Sequence, residues 1–368
     1  MGVVHRRLAL EVDILGMSQH MYNIHTVESV TSGHPDKMCD QISDAILDAY
    51  LAEDPHSRVA METFGSHNLL VIGGEVTSKA EVNAAKIGRN VYRAIGYTDD
   101  LQIMTNIAKQ SPDIAQGVDT GGAGDQGIMY GYATNETPEL MPRAVVLAHA
   151  LTAGLERLRR TDPECSWLGP DGKSQVTMED GRVHTVLISC QHAESITQDA
   201  IRETLIKKLI APVVGDLTGV EVLVNPTGKF TVGGFTADTG LTGRKIIVDT
   251  YGGLIPHGGG AFSGKDPTKV DRSAAYMARF AAKNIVANGL AKTCMVTVAY
   301  AIGRAEPLMV YGESEDGRDL SALLKEKFDF RPAAIIERLN LRRPLYQKTA
   351  AYGHFGRPGF PWEEVVSL

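Results

Sequence analysis

A strand followed by an amphipathic helix recurs three times along this chain, and this recurrence constrains the fold more than any other sequence feature. In the second unit, Ile201, Leu205 and Leu209 share one face of the helix. Units of about 100 residues predict three α/β domains with related folds, although ordinary α/β alternation explains the pattern equally well. We predict strands over 69–76, 183–189 and 294–302, and helices over 79–95, about 197–210 and 320–328.

The composition is that of a soluble globular protein with more than one domain. The chain has 368 residues, of which 43% are hydrophobic and 22% charged, and it lacks the long apolar run of a membrane span. Its four scattered cysteines are typical of reduced thiols in the cytoplasm rather than of disulfides or a zinc site. A net charge of −7 without a basic stripe argues against nucleic-acid binding.

The segment 244–272 departs from this acidic balance. Its cations lie next to glycines in the sequence, which favours binding of a compact anion. The cations are Arg244, Lys245, Lys265, Lys269 and Arg272.

The first helix is predicted to begin beside an anion site. Pro35 fits the first helical position, where its missing N–H costs nothing. Free N–H groups and the positive end of the helix dipole then lie beside Ser32, Gly33 and His34. Apolar residues share one face of this helix, and the residues on other faces are Lys37, Asp40, Asp44 and Asp48.

A glycine-rich loop at 258–266 resembles a phosphate-binding loop without completing the motif. Residues 259–265 match G-x-x-x-x-G-K, but Asp266 stands where that motif needs Ser or Thr to hold magnesium. Residues 251–257 are also a poor strand. We therefore expect backbone N–H groups and Lys265 to contact an anion outside a phosphate-loop fold. The alternative is a plain glycine turn with a surface lysine.

A second glycine pattern is a weaker signal. Gly122, Gly124 and Gly127 form G-x-G-x-x-G, but no hydrophobic strand precedes them and no helix pattern follows, which disfavours a dinucleotide fold. A flexible loop explains the spacing better, with Asp125 as a possible ligand contact.

Several acids are candidates for metal or substrate contacts. Asp36 and Asp271 are suited to magnesium, which takes one or two carboxylates together with phosphate oxygens, although each alone is more often a helix cap or a solvated acid. Glu62 and Glu75 lie in strand-like contexts and face either solvent or a site.

The remaining candidates are weaker. Asp171, Gly172 and Lys173 follow a turn, and turn chemistry alone accounts for them. Phe230 is either a base-stacking residue or core. Lys245 precedes the apolar run 246–249, which predicts a buried strand with cations at its mouth.

Together these motifs resemble the S-adenosylmethionine synthetases from about residue 24 to 362. The similar stretches are 33–37, 109–114, 122–127, 240–245, 258–266 and 350–356. The glycine loop and Gly33-His34-Pro35-Asp36-Lys37 are the most specific, and their order along the chain matches.

This resemblance implies a fold and a reaction. The fold is α/β (α+β), with three similar domains in pseudo-threefold symmetry, each a sheet packed with helices. We expect an extension over 1–20 and domains over 21–115, 116–231 and 232–368. Methionine sulfur attacks C5′ of ATP, and the released triphosphate is cleaved to phosphate and diphosphate. Two magnesium ions and potassium assist, and a dimer or tetramer forms active sites between its subunits.

The resemblance also implies residue roles. Catalytic roles fall to His34, Asp125, Lys173, Arg244, Lys245 and Lys265. ATP contacts fall to His34, Asp171, Gly172, Lys173, Lys229, Phe230, Asp238, Arg244, Lys245, Ala261 and Lys265. Methionine contacts fall to Glu75, Gln110, Asp238 and Lys269, magnesium to Asp36 and Asp271, and potassium to Glu62.

Two other functions remain in view. A kinase or ATPase using the glycine loop predicts ADP as a product, whereas a synthetase releases none. A non-catalytic paralogue would be favoured by loss of His34, Lys265 or Asp271, all of which are present. The non-catalytic alternative is supported by the expected gating loop, about 110–121, which is shorter than in many relatives. A shorter loop could change water exclusion or product release.

Deletion of residues 1–20 tests whether the extension contributes to the site. We expect conversion of ATP and methionine to stay within about twofold of the full chain, because an N-terminal extension beyond the domain is typically dispensable. The measurement is the initial rate of both chains at equal concentration. A large loss of activity would show that the extension helps to build the site.

Overall fold

A computed structural model describes residues 24–109 and 122–368 and shows a mixed α/β protein with three sheets. The strands are β1 (Ile24–Val30), β2 (Arg58–Ser66), β3 (Leu69–Thr77), β4 (Gln102–Lys109), β5 (Gly127–Thr134), β6 (Leu168–Glu179), β7 (Arg182–His192), β8 (Glu221–Val224), β9 (Gly240–Leu241), β10 (Thr293–Tyr300) and β11 (Met309–Ser314).

The helices follow the strands in the expected alternation. They are α1 (Pro35–Glu53), α2 (Ala84–Ile95), α3 (Arg143–Thr161), α4 (Gln198–Leu205), α5 (Ala211–Val214), α6 (Ile246–Asp249), α7 (Val270–Ala287), α8 (Ser321–Lys327) and α9 (Pro332–Arg338). A π-helical turn, Ile206–Ile210, joins α4 to α5. None of the helices among the described residues is long and apolar enough to cross a membrane.

Each third of the chain contributes its first strand to the sheet of another third. The sheets run β4-β3-β2-β9, β1-β6-β7-β8 and β11-β10-β5. Thus β1 pairs with the central hairpin, β5 with the C-terminal hairpin and β9 with the N-terminal hairpin. This cyclic exchange interlocks the three sheet-and-helix regions, as pseudo-threefold symmetry requires.

Three long helices pack against these sheets. The helices α1, α3 and α7 span 19, 19 and 18 residues and follow β1, β5 and β9 in the three thirds of the chain. Helix α1 packs on β2, α3 on β6 and β1, and α7 on β5 and β10. The expected fold class, α/β with three similar regions that each pack a sheet with helices, is therefore confirmed.

Several sequence predictions need correction in detail. The helix predicted over 79–95 begins at Ala84, because the Asn83 side chain caps it by accepting the Lys86 N–H. The run 246–249, predicted as a buried strand, forms the short helix α6. Strands β2 and β3 pair in continuous register. Strand β11 pairs antiparallel with β10.

A row of four aspartates on α1 joins the N-terminal and C-terminal thirds. Spaced four residues apart, they lie on one helical stripe. Asp36 accepts the Leu241 N–H and Asp40 accepts the Gly243 N–H, at 3.0 and 2.8 Å. Asp44 accepts the Gly264 N–H at 2.8 Å, and Asp48 accepts the N–H groups of residues 345–347. The helix thereby holds three C-terminal loops.

Asp44 also neutralises the most deeply buried arginine of this contact. Both terminal guanidinium nitrogens of Arg272, Nη1 and Nη2, donate to the Asp44 carboxylate, at 2.7 and 2.8 Å, and neither side chain is exposed. Arg272 packs over the Tyr346 ring as well. Its charge is fully used inside the protein, so Arg272 does not belong to the anion-binding cations suggested by the sequence.

Asp44→Ala should destabilise the protein by about 3–5 kcal/mol, because it leaves the Arg272 charge buried without a partner. The matched control is Asp316→Ala. Its ion pair with Arg318 is about half exposed, and we expect a much smaller effect from its loss, because solvent screens such a pair. Urea unfolding followed by circular dichroism measures both variants. Equal small effects would show that the buried pair contributes little.

Candidate active site

The candidate site begins at the N-terminus of α1, and this helix starts at Pro35 as predicted. His34 is the N-cap of this helix, and its Nδ1 accepts the Asp36 N–H at 3.2 Å. Because Nδ1 accepts, the neutral ring carries its proton on Nε2. Burial, together with the positive charges of Lys245 and Lys173, lowers the pKa of His34 to about 3. His34 is therefore a neutral hydrogen-bond donor near neutral pH.

Asp36 gathers two cations beside this histidine. Lys245 Nζ donates to Asp36 Oδ2 at 2.6 Å, and Arg244 Nε lies 3.3 Å from Oδ1. Burial opposes ionisation, but the hydrogen bonds from Lys245 and Leu241 lower the pKa of Asp36 below its ordinary value. Arg244 remains half exposed, so its remaining donors are free to meet a ligand.

The central third of the chain supplies the other side of this first group. Lys173 lies on β6 opposite Val30 of β1, and its charge acts on His34. Asp171 is buried two residues earlier and accepts the Gly234 N–H at 2.9 Å. Burial raises the pKa of Asp171 to about 6. The charge of Asp238 also acts on Asp171, so the structure brings both acids to the same region.

The glycine loop forms a second group. Lys265 Nζ donates to Asp271 Oδ2 at 2.7 Å, and both side chains are about one-fifth exposed. Glycine is required at 264, where φ is +80° and a Cβ would lie 1.9 Å from the Met61 carbonyl oxygen. At Gly260 a Cβ would collide with the Asp271 carboxylate at 2.2 Å. The glycines therefore allow the loop backbone to approach Met61 and Asp271 closely. The predicted contact of this loop with an anion stays a prediction.

Glu62 and Glu75 lie near the second group, on the outer face of the N-terminal sheet. Glu62 pairs with Gly73 and Glu75 with Ala60, so both side chains point to one face. Ala60 also bridges to Lys265 of the glycine loop. Desolvation raises the pKa of Glu62, and the Lys265 charge opposes that rise.

The other candidate residues are bonded to protein groups or lie outside these two groups. Asp266, in the position where a phosphate loop has Ser or Thr, is fully buried and accepts from Val59 N–H and Lys269 Nζ. Lys269 is therefore partly neutralised. Lys229 is paired with Glu194 on the surface. Phe230 is half-buried and its N–H donates to His192. Asp125 is exposed in the turn before β5, and Gln110 lies outside the described residues.

Magnesium and potassium were expected from the resemblance. Among residues 24–109 and 122–368, no group of three or more His, Cys, Asp or Glu side chains is arranged to hold a metal. Asp36 and Asp271 each offer one carboxylate beside cations suited to phosphate oxygens. This donor set fits magnesium that arrives with a polyphosphate, since magnesium commonly takes one or two protein carboxylates there.

The sequence did not reveal the buried residues that hold the site residues in position. Lys37 is fully buried and donates to Asp40 and Asp249, at 2.8 and 2.5 Å. The four-residue spacing of the α1 aspartates was a usable signal, because it places them on one stripe. Their burial was not readable, because their partners come from residues 241–347.

The fold is α/β, with three interlocked repeats. Segments that are distant in the sequence bring cations and carboxylates together in two groups, one at the start of α1 and one at the glycine loop. Models of the N-terminal, central and C-terminal domains of S-adenosylmethionine synthetase match residues 22–112, 120–230 and 232–364. The chain therefore belongs to the S-adenosylmethionine synthetase family and is an enzyme.

Curated relatives agree with the family models. The S-adenosylmethionine synthase of Pseudothermotoga lettingae is 52% identical over 388 aligned positions, which cover 95% of this chain and 98% of that protein. S-adenosylmethionine synthase 1 of Rhodopseudomonas palustris (strain BisB18) is 52% identical over 366 positions, covering 92% and 95%. The resemblance inferred from the motifs is confirmed.

His34→Asn should reduce the loss of stability on acidification in metal-free buffer. The unfolded chain protonates His34 below its ordinary pKa of 6.5, whereas the folded chain does so near 3. The histidine therefore destabilises the fold as pH falls through this window, by about 2 kcal/mol at pH 5. Asn retains the helix cap.

The measurement is the free energy of unfolding in urea at pH 7.5 and pH 5 for both chains. We expect a smaller drop in the variant. An identical drop would mean that His34 has an ordinary pKa in the folded protein.

Proposed function

We propose that this enzyme joins ATP and L-methionine to form S-adenosyl-L-methionine, with release of phosphate and diphosphate. Methionine sulfur attacks C5′ of ATP, the intact triphosphate departs, and the same site then hydrolyses it. The observation that carries this proposal is the convergence of His34, Lys173 and Lys245 beside Asp36 within a chain of this family.

The chemistry explains why the site is rich in cations and poor in bases. A thioether sulfur is already nucleophilic, so no group must remove a proton from it. A leaving triphosphate carries about four negative charges, so the barrier depends chiefly on positioning and electrostatic stabilisation. Lys173, Arg244, Lys245 and Lys265 supply that stabilisation, and neutral His34 donates through Nε2 to a phosphate or ribose oxygen.

The acids have complementary tasks in this proposal. Asp36 and Asp271 would hold two magnesium ions, which supply further positive charge to the triphosphate when bound. Glu62 would hold potassium. Asp125 and Asp238 favour the positive sulfonium and the substrate ammonium, and Glu75, Gln110 and Lys269 contact methionine. Asp171, Gly172, Lys229, Phe230 and Ala261 contact ATP.

We further propose that the chain forms a dimer or tetramer in which two copies share each active site. Each copy would consist of three domains, over 21–115, 116–231 and 232–368. An apolar row, Leu241, Phe64, Val71 and Met104, crosses all four strands of the N-terminal sheet on its outer face. Phe64 and Met104 are 38% and 61% exposed. The same face carries Glu62 and Glu75, so a second copy covering the row would also enclose these acids.

The decisive experiment is product analysis by mass spectrometry after incubation with ATP, methionine, magnesium and potassium. We expect S-adenosylmethionine, phosphate and diphosphate, without ADP. ADP as the main product would instead support γ-phosphoryl transfer by the glycine loop. Nucleotide binding with no product at all would support the non-catalytic alternative.

Lys265→Ala in the same assay should slow synthesis by about 10²–10³-fold, as loss of one stabilising charge does at comparable sites. Circular dichroism serves as the folding control. The matched variant is Lys208→Ala, whose lysine is paired with Asp162 outside the site and should matter far less. Loss of fold in Lys265→Ala would identify Lys265 as structural.

A further inference from the structure

Residues 240–249 carry both Arg244 and Lys245. Besides the ion pairs of these cations with Asp36 and the hydroxyl contact between Thr242 and Ser43, this segment is held to α1 at three further points. The first is the Leu241 N–H, which donates to Asp36 Oδ1 at 3.0 Å. The second is the Gly243 N–H, which donates to Asp40 Oδ1 at 2.8 Å. The third is the Asp249 carboxylate, which accepts from Lys37 Nζ at 2.5 Å. The two cations lie between the second and third points.

Lys37 connects the last two of these points. Its ammonium donates to Asp40 Oδ2 at 2.8 Å as well as to Asp249, and none of the three side chains is more than 2% exposed. We call Lys37, Asp40 and Asp249 the clamp. A solvent-exposed ion pair would contribute little here, but a fully enclosed one with further hydrogen bonds fixes geometry.

The clamp fixes the cations relative to His34. Lys37 and Asp40 belong to the first turns of α1, the helix that His34 caps. Asp249 ends α6, and its N–H donates to the Lys245 carbonyl oxygen at 2.9 Å. The backbone that carries Arg244 and Lys245 is therefore attached on both sides to the helix that carries His34.

We propose that Asp249 is a positioning residue for the departing triphosphate: through Lys37 it holds Arg244 and Lys245 in a fixed position relative to His34. This proposal rests on the proposed function. It assigns Asp249 and Lys37 no contact with substrate. A site that acts by preorganised charge is sensitive to such support, since a shift of about 1 Å can cost about 10²-fold in rate.

Asp249→Ala and Asp249→Asn test the clamp. Asn retains an oxygen that accepts from Lys37, whereas Ala does not reach it. In Asp249→Ala we expect the KM for ATP to rise and kcat to fall by at least about tenfold, with the KM for methionine within about twofold. Calorimetry with inorganic triphosphate should show binding weakened by at least about tenfold. Asp249→Asn should recover most of both losses.

The control is Glu363→Ala, which removes another buried carboxylate, the partner of Arg279, outside residues 240–249. All variants are compared at a temperature where circular dichroism shows them folded; Asp249→Ser replaces the alanine variant if that one does not fold. Unchanged triphosphate binding in the alanine or serine variant would overturn the proposal. An equal kinetic loss in Glu363→Ala would do so as well. A wild-type chain that makes no S-adenosylmethionine but binds triphosphate through an Asp249-dependent site would overturn the proposed function and leave the clamp standing.

Discussion

Buried carboxylates along α1 hold the C-terminal loops of this protein in place, and the rest of the architecture depends on that contact. Asp36, Asp40, Asp44 and Asp48 each accept backbone N–H groups from segments about 200–300 residues later in the chain. A buried carboxylate without such partners would be costly, so each aspartate specifies where its loop must lie. The helix thus serves as a template for both cation-bearing loops.

The template explains how one helix organises two groups of site residues. Its first two turns hold residues 240–249, with Arg244 and Lys245, beside His34. Its middle holds the glycine loop, through Asp44, Gly264 and Arg272, and thereby Lys265. Each group pairs one carboxylate, the buried Asp36 or the partly exposed Asp271, with a lysine. A polyphosphate with magnesium would exchange these internal ion pairs for its own.

The cyclic exchange of first strands has a related consequence. Because β1 pairs with β6, Lys173 faces Val30, four residues before His34. Because β9 pairs with β2, the segment that carries Arg244 begins at the N-terminal sheet. Strand exchange therefore brings segments from the three thirds of the chain together.

Much of the site was predictable because its signals are local. Pro35 at a helix start, the adjacent glycines at 258–260 and the lysine at 265 each state their chemistry within a few residues. Where prediction failed, the reason was tertiary. The apolar run 246–249 has the pattern of a buried strand, yet the Lys37–Asp249 ion pair and the backbone bond from Asp249 to Lys245 favour one helical turn. Arg272 was grouped with the anion-binding cations because its partner, Asp44, lies 228 residues away.

The sequence by itself determined the helix start beside His34, the glycine loop and, through the order of its motifs, the family, and with the family the three repeated units. It could do so because periodicity, turn chemistry and short motifs are properties of neighbouring residues. The tertiary structure alone decided which sheet each first strand joins, which aspartates are buried and which cations remain available to a ligand. Those outcomes depend on pairings between residues hundreds of positions apart, and burial and charge neutralisation exist only once such pairings have formed.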